Sequence, residues 1–422
     1  MTIEQANQYF SALPDGFAPE EELRAALPAH AEKVAFVGVA GTAGKTMVAG
    51  LLAAILKAAG FPVGFYRAGC EPVERRIRIQ GEPVDPGLLS NAVDTLSAAK
   101  PLPRPAAELA AAVFCFAEAG CRLAVVEMAD AGLAAALPRM PVCAVTSIGP
   151  DGVSRSLERS AALAAGVMRE GSICVTAPEQ PKAALSELIV AAGKANCELV
   201  VPDAEDIQFL EAEKFTSRID YGGYTIPLAF LGRHAAGNAA MAVELALALW
   251  RKGFEIEDDA ILAGLAAVEN RSSIRVLSQK PLVILDACRT PQQAAALLRV
   301  LNMAKVRHMS AVVGLSAEEG AEAFFSALES GLTPEEQKKD KTTMPGMSEN
   351  PFDKVFLVPL QGGEAARNER LLETARYHFE AELCTTLEEA VRLAKANSRR
   401  GLLICGSEQI ALEAAEQLEN RL

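Results

Sequence analysis

Lys45 and Thr46 close a run rich in small residues, Lys33-Val34-Ala35-Phe36-Val37-Gly38-Val39-Ala40-Gly41-Thr42-Ala43-Gly44-Lys45-Thr46. Each residue type there suits a separate task at a phosphate. Gly41 and Gly44 lack a Cβ, so backbone N–H groups around Thr42 can turn inward to an anion. Lys45 offers a point charge to β- and γ-phosphates, and Thr46 a hydroxyl to Mg2+. The apolar stretch 47–59 follows as a helix whose N-terminus adds partial positive charge. A buried-strand run, 34–39, comes before. Strand, glycine-rich loop, Gly-Lys-Thr and helix make the layout of a phosphate-binding loop. The long Walker A spacing is not met, because Val39 stands where its first Gly belongs. The segment fits the shorter Gly-Thr-x-Gly-Lys-Thr. An ordinary strand–turn–helix corner with a surface lysine is the rival, and spacing, residue types and context together favour phosphate. This points to a nucleotide and leaves the reaction open.

The chain that positions these residues has 422 of them, enough for two or more domains with sizeable cores. It is half hydrophobic, rich in Ala and poor in aromatics, which suits a helix-rich α/β protein. Net charge is −13, and the only dense basic stretch is Arg75-Arg76-Ile77-Arg78. Neither nucleic acid nor an anionic membrane is an expected partner. Nine cysteines are scattered without a Cys-x-x-Cys, mostly in apolar runs, and are expected to act as small hydrophobes in a reducing, cytoplasmic setting. The opening Thr2-Ile3-Glu4-Gln5 shows no basic-then-apolar leader pattern, and no apolar run is long enough to span a bilayer. His30, His234, His308 and His378 lie far apart, so no zinc site is expected.

Residues 1–32 read as short amphipathic helices. Strands then alternate with helices: strands over 34–39, 61–66, 76–79, 123–127, 142–148, 173–176 and 199–201, helices over 44–59, 87–98, 106–119, 155–169 and 182–195. Such alternation implies a mainly parallel sheet with helices on both faces. Tyr221-Gly222-Gly223-Tyr224 interrupts it as a hairpin turn. Helices over 235–252 and 258–268 and strands over 274–277 and 282–285 complete a central domain, 33–290. A second α/β pattern fills 291–422, with strands over 310–315, 354–359, 379–384 and 402–405 and a closing helix over 408–421. Its polar stretch 331–353 reads as a mobile surface excursion.

Seven segments carry a collinear resemblance: Gly41-Thr42-Ala43-Gly44-Lys45-Thr46; Arg76-Ile77-Arg78-Ile79-Gln80-Gly81; Leu123-Ala124-Val125-Val126-Glu127; Thr146-Ser147-Ile148-Gly149-Pro150-Asp151; Gly232-Arg233-His234-Ala235-Ala236-Gly237-Asn238-Ala239; Leu282-Val283-Ile284-Leu285-Asp286 with Pro291; and Cys405-Gly406-Ser407. In these the chain resembles the Mur ligases, and among them the folylpolyglutamate synthase/dihydrofolate synthase branch. The resemblance implies a Mur-ligase-like central ATPase domain with a P-loop, and a smaller Rossmann-like C-terminal domain across a cleft. It also implies an ATP-dependent amide ligase. A carboxylate, folate-like or other, takes the γ-phosphoryl group to become an acyl phosphate, and the amine of an amino acid such as glutamate then displaces phosphate. ATP and Mg2+ are the implied cofactors. On this resemblance Lys45 and Glu127 carry the chemistry, with Thr46 and Glu127 holding Mg2+ directly or through water. Gly41, Thr42 and Gly44 cradle phosphate, His234 and Asn238 lie by the nucleotide, and Asp286 sits beside its ribose or base.

Departures from the family cluster at the same place. Its Ser-Pro-His-Leu loop is Ala68-Gly69-Cys70-Glu71, its Asp-His pair is Asp151-Gly152, and its Glu-Lys-Ala-Gly, whose lysine is carbamylated to hold a second metal, is Leu163-Ala164-Ala165-Gly166. Its Pro-Gly-Arg is Arg271-Ser272-Ser273, its Asp-Gly-Ala-His-Asn-Pro is Asp286-Ala287-Cys288-Arg289-Thr290-Pro291, the Gln of its His-Gln pair is Ala235, and its C-terminal Asp-Lys-Asp is Ser316-Ala317-Glu318. Ala68, Gly152 and Ala164 together remove metal ligands. Arg271, Arg275 or Arg289 is positioned to restore a cation.

Residue by residue, plainer roles compete. Glu127 ends an apolar strand where α/β ligand sites form. Asp151 equally suits a turn, His234 a cap or packing, Asn238 a helix interior and Asp286 a turn before a helix capped by Thr290. Cys288 reads as a packed thiol. Three functions follow: a ligase with a remodelled metal site, a non-catalytic nucleotide- or folate-binding relative, acting alone or paired with an active ligase, and a purely structural paralogue. Retention of Gly41, Gly44, Lys45, Thr46 and Glu127 speaks against the third.

Overall fold

The computed structural model describes residues 2–69, 71–149, 156–213, 216–228, 233–268, 274–315, 320–339, 350–360, 365–398 and 400–419. Cys70, Asp151, Gly152, Gly232, Arg271-Ser272-Ser273 and Ser316-Ala317-Glu318 lie outside them, as do residues 340–349 of the polar stretch.

Strands β1 (Ala35–Ala40), β2 (Val63–Tyr66), β3 (Ile77–Ile79), β4 (Glu82–Pro83), β5 (Leu123–Glu127), β6 (Val142–Val145), β7 (Ile173–Thr176) and β8 (Glu198–Val200) form an eight-stranded sheet in the order β4-β3-β2-β5-β1-β6-β7-β8. All its pairings are parallel except β2–β3 and β3–β4. Successive side chains point to opposite faces, so each strand divides its residues between two cores. Phe36, Val126 and Val145 join one, with Ala6, Phe10 and Leu23 of the N-terminal helices Ile3–Ala12 and Glu20–Ala26. Val37, Val39, Val125 and Ala144 join the other, beneath helices Lys45–Ala58 and Arg233–Arg251. This two-sided burial is why the strands read as continuous apolar runs.

The Tyr221–Tyr224 hairpin is present: β10 (Thr216–Tyr221) pairs antiparallel with β11 (Tyr224–Leu228), and Gly222 and Gly223 take the positive φ of a tight two-residue turn. A third strand, β9 (Ile207–Glu213), extends it. Its Phe209 and Leu210 are exposed, so it lacks the buried alternation that marks a strand in sequence. The helix read over 155–169 is Leu157–Ala164 followed by a 3₁₀ turn, Ala165–Val167. Inside the polar stretch, Pro334–Lys339 is helical.

The second sheet has β12 (Arg275–Gln279), β13 (Leu282–Leu285), β14 (Met309–Val313), β15 (Phe352–Leu357), β16 (Ala381–Leu383) and β17 (Gly401–Cys405), in the order β12-β13-β17-β14-β15-β16. β12 and β13, grouped with the central domain on sequence, hydrogen-bond into this sheet: Leu282 to Leu285 pair in parallel with Gly401 to Ile404. Pro291 starts the helix Pro291–Met303. At sheet level the division therefore lies before Ile274.

Candidate nucleotide-binding site

Four neighbouring strands, β2, β5, β1 and β6, deliver the site at their carboxyl ends. β1 runs into Gly41, and the helix Lys45–Ala58 starts from Gly44. Gly41 has φ +129°, and a Cβ there would meet the backbone N and O of Thr146 at 3.0 Å. Gly44 has φ +92°, and a Cβ would meet Asn238 Oδ1 at 2.8 Å. Both positions therefore need glycine. The loop is pinned to the end of β6. Thr42 and Ala43 N–H both donate to the Ser147 carbonyl at 3.1 Å, Thr42 Oγ1 donates to the same carbonyl at 2.9 Å, and Gly149 N–H donates to Thr42 Oγ1 at 2.8 Å. Two loop amides are thus used within the protein, which leaves an anion the first-turn amides of the helix, donors with no intrahelical acceptor.

Lys45, Thr46 and Glu127 come together. Thr46 Oγ1 donates to Glu127 Oε2 at 2.9 Å, and Lys45 Nζ donates to the Gly41 carbonyl at 2.8 Å. Glu127 ends β5 beside Val39 of β1 and is buried. Burial raises its pKa; Lys45, the Thr46 hydroxyl and Arg67 oppose this, while Glu408 adds to it. Arg67, absent from the candidates above, follows Tyr66, whose partner across the sheet is Val126. Of the three arginines offered on sequence as a cation, Arg271 lies outside the described residues, whereas the charge that acts on Glu127 besides Lys45 is that of Arg67. The usable signal was its place just after a strand at the carboxyl edge.

The other candidates spread out. Asn238 is buried on the helix Arg233–Arg251, packs on Gly44 and donates to Met47 Sδ at 3.3 Å. His234 is exposed at the helix start; partial desolvation and then the Arg299 charge lower its pKa. Asp286 is buried in the second domain, with Oδ2 accepting from Ile274 N–H and Oδ1 from Cys288 N–H, each at 2.7 Å. Both its oxygens serve the backbone. Burial raises its pKa against those two donors. Cys288 is a buried thiol, as are all eight described cysteines. Ala164 is buried where its helix ends.

The second domain touches the site directly. Gln292, in the helix Pro291–Met303 capped by Thr290, donates to the Ile148 carbonyl at 3.1 Å. Ile148 N–H goes to Gln180 Oε1 at 3.0 Å. Arg67 pairs with Glu408 at 3.0 Å and with Glu71. A divalent ion would find Thr46 and Glu127; among the described residues no group of three or more His, Cys, Asp or Glu is arranged to hold a metal. Mg2+ fits this donor set only by taking most of its ligands from water and phosphate oxygens, as it commonly does.

No family model matches the chain. The dihydrofolate synthase/folylpolyglutamate synthase of Mycobacterium tuberculosis is 27% identical over 337 residues, 69% of this chain and 68% of that protein. The solved M. tuberculosis folylpolyglutamate synthase complexed with ADP matches with a TM-score of 0.82 at 21% identity, over 99% of this chain and 98% of that one. The chain has the folylpolyglutamate synthase fold. A bifunctional folylpolyglutamate synthase/dihydrofolate synthase with Mn, AMPPNP and L-glutamate bound also matches, with a TM-score of 0.78 at 21% identity over 99% and 98% of the two chains. The resemblance seen in the sequence is thus met by both a relative and solved structures. The likeness to the solved structures, at 21% identity, is one of fold. Among its described residues no helix is long and apolar enough to cross a membrane.

Proposed function

We propose that the chain binds ATP at the Gly41–Thr46 loop and acts as a folylpolyglutamate synthase-like ligase, joining a glutamate-like amino acid to a folate-like or other carboxylate. The observation that carries this is the gathering of Lys45, Thr46 and Glu127 at the carboxyl edge of a parallel sheet, with Thr46 and Glu127 at 2.9 Å. ADP, AMPPNP and glutamate in proteins of the same fold support it. In the proposed reaction a carboxylate oxygen attacks the γ-phosphorus as the bond to ADP breaks. The amine then attacks the acyl carbon, phosphate leaves, and the amine gives up a proton. Bound Mg2+ would neutralise phosphate charge. Lys45 would leave the Gly41 carbonyl for the phosphates, and Thr46 and Glu127 would orient the ion and its waters.

A second reading is a non-catalytic nucleotide- or folate-binding relative. It is favoured by buried Ala164, whose methyl group offers no ligand where the family places a metal-holding lysine. Calorimetric titration with Mg2+-ATP, beside Lys45→Ala, tests the shared part. Micromolar binding abolished in the variant supports both readings. ADP formation that depends on a folate and glutamate then selects the ligase. Absence of binding at millimolar ATP rejects both.

A further inference from the structure

Arg67 is the residue at the site that the proposed reaction leaves without a task, and it is the most elaborately held. Its backbone is clamped on both sides by Arg76: Arg67 N–H donates to the Arg76 carbonyl at 3.0 Å, and Arg76 Nη1 reaches the Arg67 carbonyl at 3.4 Å. Arg76 Nε also donates to the Glu71 carbonyl at 2.7 Å. Arg76 itself is almost fully buried and bound by two nitrogens to Glu108, at 2.7 and 2.9 Å. A buried ion pair therefore aims the loop that carries Arg67 and Glu71. The guanidinium lies between the carboxylates of Glu71 and Glu408 and is only 17% exposed. Glu408 opens the helix Glu408–Glu419 of the second domain and reaches Gly69 so closely that a Cβ there would meet Oε2 at 2.9 Å.

Arg67 stands one strand from Glu127, which is itself one strand from the phosphate loop. A planar guanidinium presents paired donors to carboxylate and phosphate alike. We propose that Arg67 is a phosphate-binding cation of this site, that Glu408 of the second domain occupies it until polyphosphate arrives, and that it lets nucleotide bind without a divalent metal. The proposal rests on the nucleotide reading of the Gly41–Thr46 loop. It fits the thin donor set for metal at Thr46 and Glu127, because a fixed cation supplies part of the charge neutralisation that an ion would otherwise bring. Exchange of Glu408 for phosphate would also make nucleotide binding sensitive to how the second domain is seated.

The test is calorimetric titration of ADP and ATP into the full chain, in EDTA and in Mg2+, for the wild type, Arg67→Gln, Arg67→Lys, Glu408→Gln and Lys45→Ala. In EDTA the wild type is expected to bind within about threefold of its affinity in Mg2+, and Arg67→Gln to bind about tenfold or more weakly. Arg67→Lys should recover part of the loss. Glu408→Gln, which leaves Arg67 and its Glu71 partner intact and removes the carboxylate from the second domain, should tighten binding in EDTA. Binding that needs Mg2+, is lost in Lys45→Ala and is unchanged in Arg67→Gln would overturn the role of Arg67 and spare the nucleotide reading. Unchanged or weaker binding in folded Glu408→Gln would overturn the exchange. No heat from either nucleotide in either buffer would overturn the nucleotide reading and the proposal with it.

Discussion

Gln292 lies against the α-carbon of Gly149, its side-chain amide filling the space a β-carbon would need. The contact joins the first turn of a second-domain helix to the residue whose N–H reaches Thr42. Gly149→Ala must push Gln292 off the Ile148 carbonyl. We expect a loss of about 1–2 kcal/mol in stability and faster amide exchange over 146–149 and 291–303. Denaturant melts and exchange mass spectrometry read both. Wild-type values in both would mean that the two domains do not meet there in solution.

Gly44 combines φ +92° with an Asn238 oxygen at 2.8 Å from any added β-carbon. Gly44→Ala therefore pays in backbone strain, of the order of 1–3 kcal/mol, and in displacing Asn238. Lower thermal stability and weakened ATP binding should appear together. An alanine variant as stable as the wild type would show that the loop can be rebuilt with an ordinary φ.

Removing Glu108 leaves Arg76 charged, buried and unpaired. Glu108→Ala is expected to cost about 3–5 kcal/mol in urea unfolding. The same pair gives a pH signature. Burial pushes the Glu108 carboxyl up, but Arg76 and then Arg104 outweigh it, and its pKa falls below 4.5. Its contribution is thus complete above pH 4.5 and fades as pH drops through the folded value. Stability measured from pH 7 to 3 should show this loss in the wild type and a smaller one in Glu108→Gln. Parallel curves would show that Glu108 is not the group responsible.

His234 should titrate below the usual histidine range, because partial desolvation and Arg299 disfavour its charged form. Its folded pKa lies under the unfolded value of about 6.5, so the unfolded chain binds the extra proton. Stability from this residue therefore declines as pH falls below that value, until the folded pKa is reached. An NMR titration of the imidazole gives the midpoint, and Arg299→Gln should raise it only partly, desolvation being the larger cause. A midpoint at or above about 6.5 would show that neither desolvation nor the Arg299 charge governs the ring.

The strand–glycine loop–helix corner, the place of Glu127 and the alternating sheet were legible because each is a local pattern: glycines before Lys45, a carboxylate ending an apolar strand, apolar runs buried on both faces. The hairpin at Gly222-Gly223 was equally plain. What escaped depends on distant partners. β12 and β13 resemble any strand pair until β17 is seen beside β13. Arg67 looks like a surface arginine until Glu408, 341 positions along the chain, is placed against it. Asp286 ends its strand as a ligand residue would, yet its two oxygens close on Ile274 and Cys288, a pairing that the Arg275–Gln279 and Leu282–Leu285 hairpin creates only once folded.

The Arg76–Glu108 pair separates robustness from aim. Buried ion pairs can often be exchanged for apolar groups of equal volume with no loss of stability, or a gain of about 1–4 kcal/mol. Tyr66 and Arg104 also bind Glu108, at 3.1 and 3.0 Å, so such an exchange would involve a cluster of four side chains. A repacked version would be expected to melt no earlier than the natural chain. It would also lose its grip on the carbonyls of residues 67 and 71, leaving the Arg67 loop to wander. Selecting variants for heat resistance alone would discard this cluster, while selecting for ligand affinity would keep it.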